Sequence, residues 1–304
     1  MKYLVSLCIP TNGVTEWVLP VMESIYNQNI DEQLFQVVVA DNGNNKDFAE
    51  AMDSLCSQHT NITYKKTSSM GFLNQIESFR LADGELIKFV NHRMPLVEGT
   101  LKKLIDFSNK YSDKKPVVYF SNGKLDLKES YFCNKFDSFV KKLSYWSSWS
   151  AGLALWHDDI EKVDRISEFN SLFPHTDILF LNKNSTEYII DNRVLMQELP
   201  TDDTKKGKYN LFHAFAVEYP KILRELLNSN FISENTFNDV MSDLKVFLGQ
   251  LYFKFIILKR PCSYDLTDAD QYIATNFSVF NIKIMALPYF LSNVIKNKIF
   301  KKEL

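Results

Sequence analysis

The sequence predicts an α/β protein with a mostly parallel sheet flanked by helices, followed by a helical C-terminal region. Three short apolar runs rich in β-branched residues predict the sheet, at residues 3–12, 36–44 and 84–91. Each run ends in Thr, Asn, Asp or Gly, and sequence typical of helices fills the gaps. Buried parallel strands have this pattern, and ligands bind where the loops at their carboxyl ends meet.

Strands and helices alternate through the first 120 residues. Apolar runs predict strands at 3–9, 35–40, 62–65, 86–90 and 116–120. Apolar residues spaced by about 3.6 positions predict helices at 19–28, 46–57, 71–81 and 97–111. Pro20 is expected in a first helical turn, which tolerates a missing N–H.

The pattern is looser from residue 121 to 145. The Trp- and Ser-rich segment 146–156 is predicted to be a loop that enters a strand, a short helix begins near Pro174, and a strand follows at 188–190. Long helices are predicted at 209–227 and 233–258. We therefore expect an α/β domain at residues 1–205 and a helical region at 206–304.

The composition excludes several classes of function. The 304 residues are 45% hydrophobic and include 35 basic and 37 acidic side chains, so no overall positive field favours nucleic-acid binding. The four cysteines form no CxxC pair, which argues against a zinc site and a disulfide scaffold. We expect a protein of the reducing cytoplasm.

The amino terminus lacks the pattern of a signal peptide, and no run of 18 apolar residues predicts a membrane span. Near the carboxyl terminus, Ala286 to Lys302 has one apolar face flanked by lysines. This pattern predicts a helix lying on an anionic membrane surface at the inner face of the cell membrane. The alternative is packing against the rest of the chain or a second subunit.

The order and spacing of the three apolar runs resemble the nucleotide-sugar-binding half of family 2 glycosyltransferases. The resemblance covers residues 1–190, and segments 149–152, 173–177 and 208–212 are similar to bacterial surface-polysaccharide enzymes of the abequosyltransferase-like kind. It implies a GT-A-like domain with a Rossmann-type sheet. The implied reaction is transfer of a sugar, with inversion, from a nucleotide-diphosphate donor to a hydroxyl of a glycan or lipid-linked glycan.

The resemblance also implies donor-binding residues. Asp41, at the end of the second strand, begins an Asp-Asn-Gly-Asn segment where the family has Asp-Asp-Gly-Ser, and its carboxylate suits a pyrimidine imide. The other implied contacts are Pro10, Thr11, Asn42, Gly71 and Asn74. An Asx-turn at Asp41 and a turn or capping hydroxyl at Thr11 are the alternatives.

After the fourth strand, Asn91-His92-Arg93 stands where the family has its metal-binding Asp-x-Asp. A hard divalent cation prefers carboxylate oxygens, so this is a poor metal site. Arg93 instead suits a direct pairing with the diphosphate, and we predict that no metal is required. The alternatives are Mg²⁺ or Mn²⁺ held by Asn91 or His92 together with donor phosphates, or an inactive site.

The general base is implied at the start of the helix near Pro174. Asp177 is the first candidate for deprotonating the acceptor hydroxyl, with His175 as its orienting partner or as the base itself. Helix capping by Asp177 and a structural role for His175 are the alternatives. A single base is sufficient for inversion, because the acceptor hydroxyl displaces the diphosphate in one step without a covalent intermediate.

Two other functions stay open. A nucleotidyltransferase on a related sheet would need a Gly-rich phosphate loop with an early Arg or Lys, which residues 10–14 lack. A non-catalytic nucleotide-sugar-binding protein is favoured by the loss of Asp-x-Asp.

Overall fold

The computed structural model describes residues 3–200, 204 and 207–285. The chain forms two compact units: one takes residues up to Phe139 and Trp146–Pro200, and the other takes Val140–Tyr145 and the described residues after Pro200. The predicted surface helix at Ala286 to Lys302 lies outside the described residues. No helix that the structure describes is long and apolar enough to cross a bilayer.

The main sheet has strand order β3-β2-β1-β4-β7. Its first four strands are parallel, and β7 pairs with β4 in the antiparallel direction. The strands of this sheet are β1 (Tyr3–Thr11), β2 (Phe35–Asp41), β3 (Ile62–Lys66), β4 (Gly84–Phe89) and β7 (Ala154–Trp156). Together with the flanking helices, they confirm the predicted fold class.

A smaller sheet has strand order β5-β8-β6. It contains β5 (Val117–Phe120), β6 (Ser130–Cys133) and β8 (Tyr188–Asp191), with β5 parallel and β6 antiparallel to β8. The strand predicted at 116–120 is therefore present, as β5, but it lies in a second sheet that the sequence did not indicate. β5 pairs with a strand about 70 residues later, a partner that sequence spacing does not reveal.

Helices alternate with these strands. In chain order they are α1 (Thr15–Tyr26), α2 (Lys46–Gln58), α3 (Asn74–Arg80), α4 (Thr100–Tyr111), α5 (Phe136–Leu143), α6 (Ile160–Asp164) and α7 (Pro174–Leu179). Of these helices, α2, α3, α4 and α7 contact strands of the main sheet. α1 begins four residues earlier than predicted, so Pro20 lies inside it. α2 begins where Asn45 Oδ1 accepts the Phe48 N–H (3.3 Å), and it buries Phe48 and Met52.

The described part of the second unit is mostly helical. Its helices are α8 (Leu211–His213), α9 (Tyr219–Asn228), α10 (Glu234–Leu251) and α11 (Ala269–Asn276). π-helical turns at Ala214–Glu218 and Tyr252–Ile257 follow α8 and α10. α10 begins at a Ser233 cap whose hydroxyl accepts the Thr236 N–H (3.2 Å).

The core of the first unit positions the candidate site. Strand β2 is buried at every position, and β1 and β4 are nearly so. Because these three strands are parallel neighbours, their carboxyl ends lie side by side. Thr11, Asp41 and the Asn91-His92-Arg93 turn therefore lie at one edge of the sheet.

Candidate functional site

A hydrogen bond joins the loops after β1 and β4. The Thr11 hydroxyl lies 2.9 Å from His92 Nδ1 and also accepts the Gly13 N–H at 3.1 Å. Thr11 thus has the turn role given as the alternative, and it also fixes His92. The hydroxyl can accept from Gly13 and donate its own proton to Nδ1, and in that arrangement the ring proton of His92 lies on Nε2.

Trp17, in the first turn of α1, supports the turn after β4. Its ring makes an edge contact with His92 (centroids 5.0 Å apart), and the Arg93 guanidinium lies 5.9 Å from its centre. Burial, and then the charge of Arg93, lower the pKa of His92 to about 3. His92 is therefore neutral, and Arg93 carries the positive charge of this turn.

The guanidinium of Arg93 is incompletely paired. Its nearest carboxylate is Glu198, with Nε 3.4 Å from Oε1, and the buried Nε makes no hydrogen bond to the described residues. The Arg93 carbonyl accepts the Leu199 N–H at 3.0 Å, which fixes the backbone. The side chain is four-fifths buried yet keeps hydrogen-bonding capacity, which suits an anionic ligand.

Asp41 is fully buried, and its carboxylate accepts hydrogen bonds from three groups. Its Oδ1 accepts the Gly43 N–H (2.8 Å), and its Oδ2 accepts the Tyr64 hydroxyl (3.0 Å) and Lys66 Nζ (2.8 Å). Lys66 also donates to the Gly43 carbonyl and is half-exposed. The Gly43 bond is the Asx-turn given as the alternative. A carboxylate has about four acceptor positions, and these three contacts fill three of them.

The turn after Asp41 is closely packed against the end of β1. A Cβ on Gly43 would lie 1.9 Å from the Asn12 carbonyl oxygen, so only glycine fits there. The Asn42 N–H donates to the Thr11 carbonyl (3.0 Å), and its side chain donates to the Ser69 carbonyl (2.8 Å). Asn42 therefore fastens two loops together.

Asn74, the first residue of α3, connects the ends of β1 and β2. Its Nδ2 donates to the carbonyls of Thr11 (3.2 Å) and Ala40 (2.8 Å), and its Oδ1 accepts the Thr67 hydroxyl (2.6 Å). The side chain is buried and its hydrogen bonds all go to protein atoms. Asn74 therefore joins the ends of β1 and β2.

Pro10 and Gly71 have backbone roles in the structure. Pro10, in β1, has no N–H to donate to a neighbouring strand. Gly71 begins the 3₁₀ turn before α3 with a φ of +55°, a conformation that favours glycine, and nothing lies within 4 Å of where its Cβ would be.

The chemistry of the turn after β4 does not fit a hard cation. Asn91 Oδ1 accepts the Arg93 N–H (3.2 Å), and His92 Nδ1 is bonded to Thr11. The guanidinium beside them would repel a divalent ion. Within residues 3–200, 204 and 207–285, no three His, Cys, Asp or Glu side chains are grouped to hold a metal.

The residues predicted to supply the base lie on α7. His175 Nε2 donates to the Ser148 carbonyl (2.8 Å), which leaves Nδ1 as the acceptor nitrogen. This Nδ1 is buried with no hydrogen-bond partner among the described residues, and His175 is only 4% exposed. Burial lowers the pKa of His175 to about 4, so the ring is neutral.

Asp177 is half-buried in the first turn of α7. Its Oδ2 accepts the N–H of Asn170 (2.7 Å), whose own side chain accepts the N–H groups of Leu172 and Phe173 (both 3.0 Å). Burial lowers the pKa of Lys183, and the charge of Asp177 opposes that effect. Asp177 thus holds the loop before α7, a role other than the helix capping given as the alternative, and it lies near a cation.

Hydrogen bonds connect α7 to the end of β4. The carbonyls of Ser147 and Ser148 accept bonds from Thr176 (3.0 Å) and His175. A few residues on, the carbonyl of Ala151 accepts from Lys88 of β4 (2.5 Å). The segment 147–151 therefore links the first turn of α7 to Lys88 of β4.

Sequence reasoning missed the supporting residues of this region. Tyr64 and Lys66 reach Asp41 because β3 lies beside β2, and Trp17 lies under His92 and Arg93. Trp17, an aromatic residue shortly after the turn that follows β1, was only a weak sequence signal. Nothing in the sequence indicated that Lys66, at the charged end of β3, contacts Asp41.

No protein-family model and no curated protein matches the sequence. Solved structures do match the fold. S. aureus TarS residues 1–349 in complex with UDP-GlcNAc superposes with a TM-score of 0.60 at 14% identity, covering 90% of this chain and 79% of that one. A longer TarS structure gives a TM-score of 0.56 at 15% identity over 83% of this chain, which spans only 44% of that chain's length.

A mannosyltransferase from Pyrobaculum calidifontis, in complex with GDP-Man and Mn²⁺, gives a TM-score of 0.50 at 16% identity, covering 96% of this chain and 81% of that one. At these identities the likeness concerns the fold. The chain therefore has the α/β fold of these glycosyltransferases.

Proposed function

We propose that this protein is an inverting glycosyltransferase that uses a nucleotide-diphosphate sugar and needs no metal. Arg93 carries the proposal: a mostly buried guanidinium with unused hydrogen-bonding capacity lies where three parallel strands end. The fold supports it, since the matched TarS and mannosyltransferase structures hold UDP-GlcNAc and GDP-Man.

In the donor half of the site, Arg93 pairs with the diphosphate and stabilises the charge that develops as it leaves. A ring proton on His92 Nε2, which the Thr11 contact allows, provides a neutral donor beside it. Asp41 offers its remaining acceptor position to an N–H of the base. Asn42, Gly71 and Asn74 hold the loops that form this half.

In the acceptor half, Asp177 takes the proton from the acceptor hydroxyl. His175 is too deeply buried and too weakly basic for that step, so it orients the segment beside Asp177 through Ser148. The hydroxyl oxygen forms a bond to the anomeric carbon as the bond to the diphosphate breaks. One displacement inverts the anomeric centre.

The acceptor is a glycan or lipid-linked glycan of bacterial surface polysaccharide. Segments 149–152 and 173–177 support this assignment through their resemblance to such enzymes. The lysine-flanked face of residues 286–302 supports a place at the inner membrane surface. The second candidate is a non-catalytic nucleotide-sugar-binding protein, which the absence of a carboxylate pair after β4 favours.

The test is release of nucleoside diphosphate from a panel of UDP-, GDP- and dTDP-sugars, with glycan acceptors, in EDTA and in Mn²⁺. We expect turnover in EDTA for one donor, with an inverted anomer by NMR. Arg93→Met should lower kcat about 10²- to 10³-fold, the effect of losing one charge-stabilising donor. Arg165→Met, at an exposed arginine of the C-terminal end of α6, is the matched control and should leave kcat unchanged.

Turnover only in Mn²⁺ would contradict the arginine mechanism. Tight binding of a nucleotide sugar with no release in any condition would favour the non-catalytic candidate.

A further inference from the structure

Lys88 is a buried cation that the proposed chemistry does not use. It lies in β4, is 1% exposed, and its Nζ donates to the carbonyls of Phe89 (2.7 Å), Ala151 (2.5 Å) and Leu153 (3.2 Å). Two of these carbonyls, those of Ala151 and Leu153, belong to the segment just before β7. One ammonium group therefore ties that segment to the carboxyl end of β4.

The strand pairing explains why an ammonium is needed there. The Phe89 N–H donates to the Leu153 carbonyl (3.1 Å), but the Leu153 N–H turns back to Ser150 (2.9 Å) in the 3₁₀ turn Ser150–Gly152. β7 thus provides no N–H for the Phe89 carbonyl at this point. Lys88 supplies the missing donor, because an unpaired buried carbonyl would destabilise the fold.

No carboxylate compensates this charge among the described contacts of Lys88. On β1, Cys8 donates to the Ser78 carbonyl, and burial raises the pKa of its thiol, so it stays neutral. On β5, the Phe120 ring lies 5.5 Å from Nζ. Burial accordingly lowers the pKa of Lys88 to about 7. A methionine would fill this space without the cost of burying a charge, so packing alone does not explain a lysine here.

The segment that Lys88 holds also contacts α7. The Ser147 carbonyl accepts from Thr176, and the Ser148 carbonyl accepts from His175. The segment is therefore bonded on one side to the strand that leads to Arg93 and on the other to the helix that carries Asp177.

We propose that Lys88 is a positioning residue, whose ammonium sets the 147–153 segment and the first turn of α7 at a fixed place relative to the end of β4. This role rests on the proposed function: Lys88 would align Asp177, on the acceptor side, with the diphosphate of the donor. Loss of the ammonium should impair transfer while leaving nucleotide binding intact.

The test compares wild type, Lys88→Met and the control Lys102→Met, an exposed lysine of α4. Hydrogen–deuterium exchange should be at least tenfold faster in Lys88→Met at residues 150–153 and 174–179, and unchanged at 41–45. The Kd of UDP or GDP, whichever the wild type binds, should stay within twofold, while kcat for transfer falls at least 30-fold. In wild type, exchange at 150–153, corrected for intrinsic rates, should rise above pH 7, and in Lys88→Met it should not depend on pH.

Unchanged exchange at 150–153, or equal losses of nucleotide binding and kcat, would overturn the proposal. The exchange arms do not depend on activity, so they decide the role of Lys88 even if no nucleotide sugar is turned over. If Lys88→Met fails to fold, Thr176→Val is the second variant, since it removes the side-chain bond to Ser147. It should leave the Kd of the nucleotide unchanged and lower kcat, by less than is expected for Lys88→Met.

Discussion

Two histidines of the candidate site are held neutral by their surroundings. Burial and the neighbouring Arg93 lower the pKa of His92 to about 3, and burial lowers that of His175 to about 4. Each has one ring nitrogen bonded to the protein, Nδ1 to Thr11 and Nε2 to Ser148. Neutral rings of fixed orientation suit hydrogen bonding, and the positive charge of the turn after β4 is left to Arg93.

The pKa of His175 predicts how stability depends on pH. Between pH 6.5 and 4 the unfolded chain binds a proton at this position and the folded chain does not, so the free energy of unfolding falls as the pH falls. A shift from 6.5 to about 4 corresponds to on the order of 3 kcal/mol. His175→Gln keeps a donor for Ser148 and cannot titrate, so its unfolding free energy should fall less steeply over that range in urea titrations. Equal slopes for the two proteins would contradict the buried neutral imidazole.

Some site residues were predictable from the sequence and others were not. Asp41 and Arg93 follow directly after apolar strands, so their position at the sheet edge could be inferred. Lys66 reaches Asp41 only through the parallel register of β2 and β3, and Lys88 is bonded to carbonyls more than 60 residues away. Such partners depend on tertiary pairing, which local spacing does not encode.

At the scale of the elements, side-chain hydrogen bonds connect the ends of β1, β2 and β4. Asn74 joins the ends of β1 and β2, and Thr11 joins β1 to the turn after β4. Polar side chains thus fix the edge where a ligand would bind. The residues that form these bonds, Thr11, Asn74 and His92, are far apart in the sequence.

This role of Asn74 gives a second prediction. In Asn74→Asp, a carboxylate would face the carbonyls of Thr11 and Ala40, so two hydrogen bonds are lost and acceptors oppose each other. We expect the free energy of unfolding to fall by about 2–4 kcal/mol. Asn109→Asp, on the exposed face of α4, should change it by less than about 0.5 kcal/mol. Urea unfolding measures both, and similar values would show that Asn74 does not hold the strand ends.

Element type was easier to predict than pairing. The first four parallel strands and the helices between them follow from apolar runs and helical spacing. The sequence did not predict β6 or show that β5 belongs to a second sheet, because both strands are defined by their pairing with β8. The prediction also began α1 too late, since Pro20 is accommodated inside that helix.

At the scale of the whole molecule, the fold places the candidate site at the carboxyl ends of the parallel strands. The α/β fold is shared with TarS and the mannosyltransferase at 14–16% identity, whereas no family model matches the sequence. A fold can persist when individual site residues differ, because packing needs only the apolar pattern. The turn after β4 shows such a difference: a cationic Arg93 stands where the resemblance implies carboxylates.

The most direct test is a crystal structure of the full chain with the bound nucleotide sugar identified by the donor panel, grown in EDTA. The account predicts diphosphate oxygens within hydrogen-bond distance of the Arg93 guanidinium, and the base beside Asp41. A diphosphate bound away from the ends of β1, β2 and β4, or bound there without contact to Arg93, would contradict it.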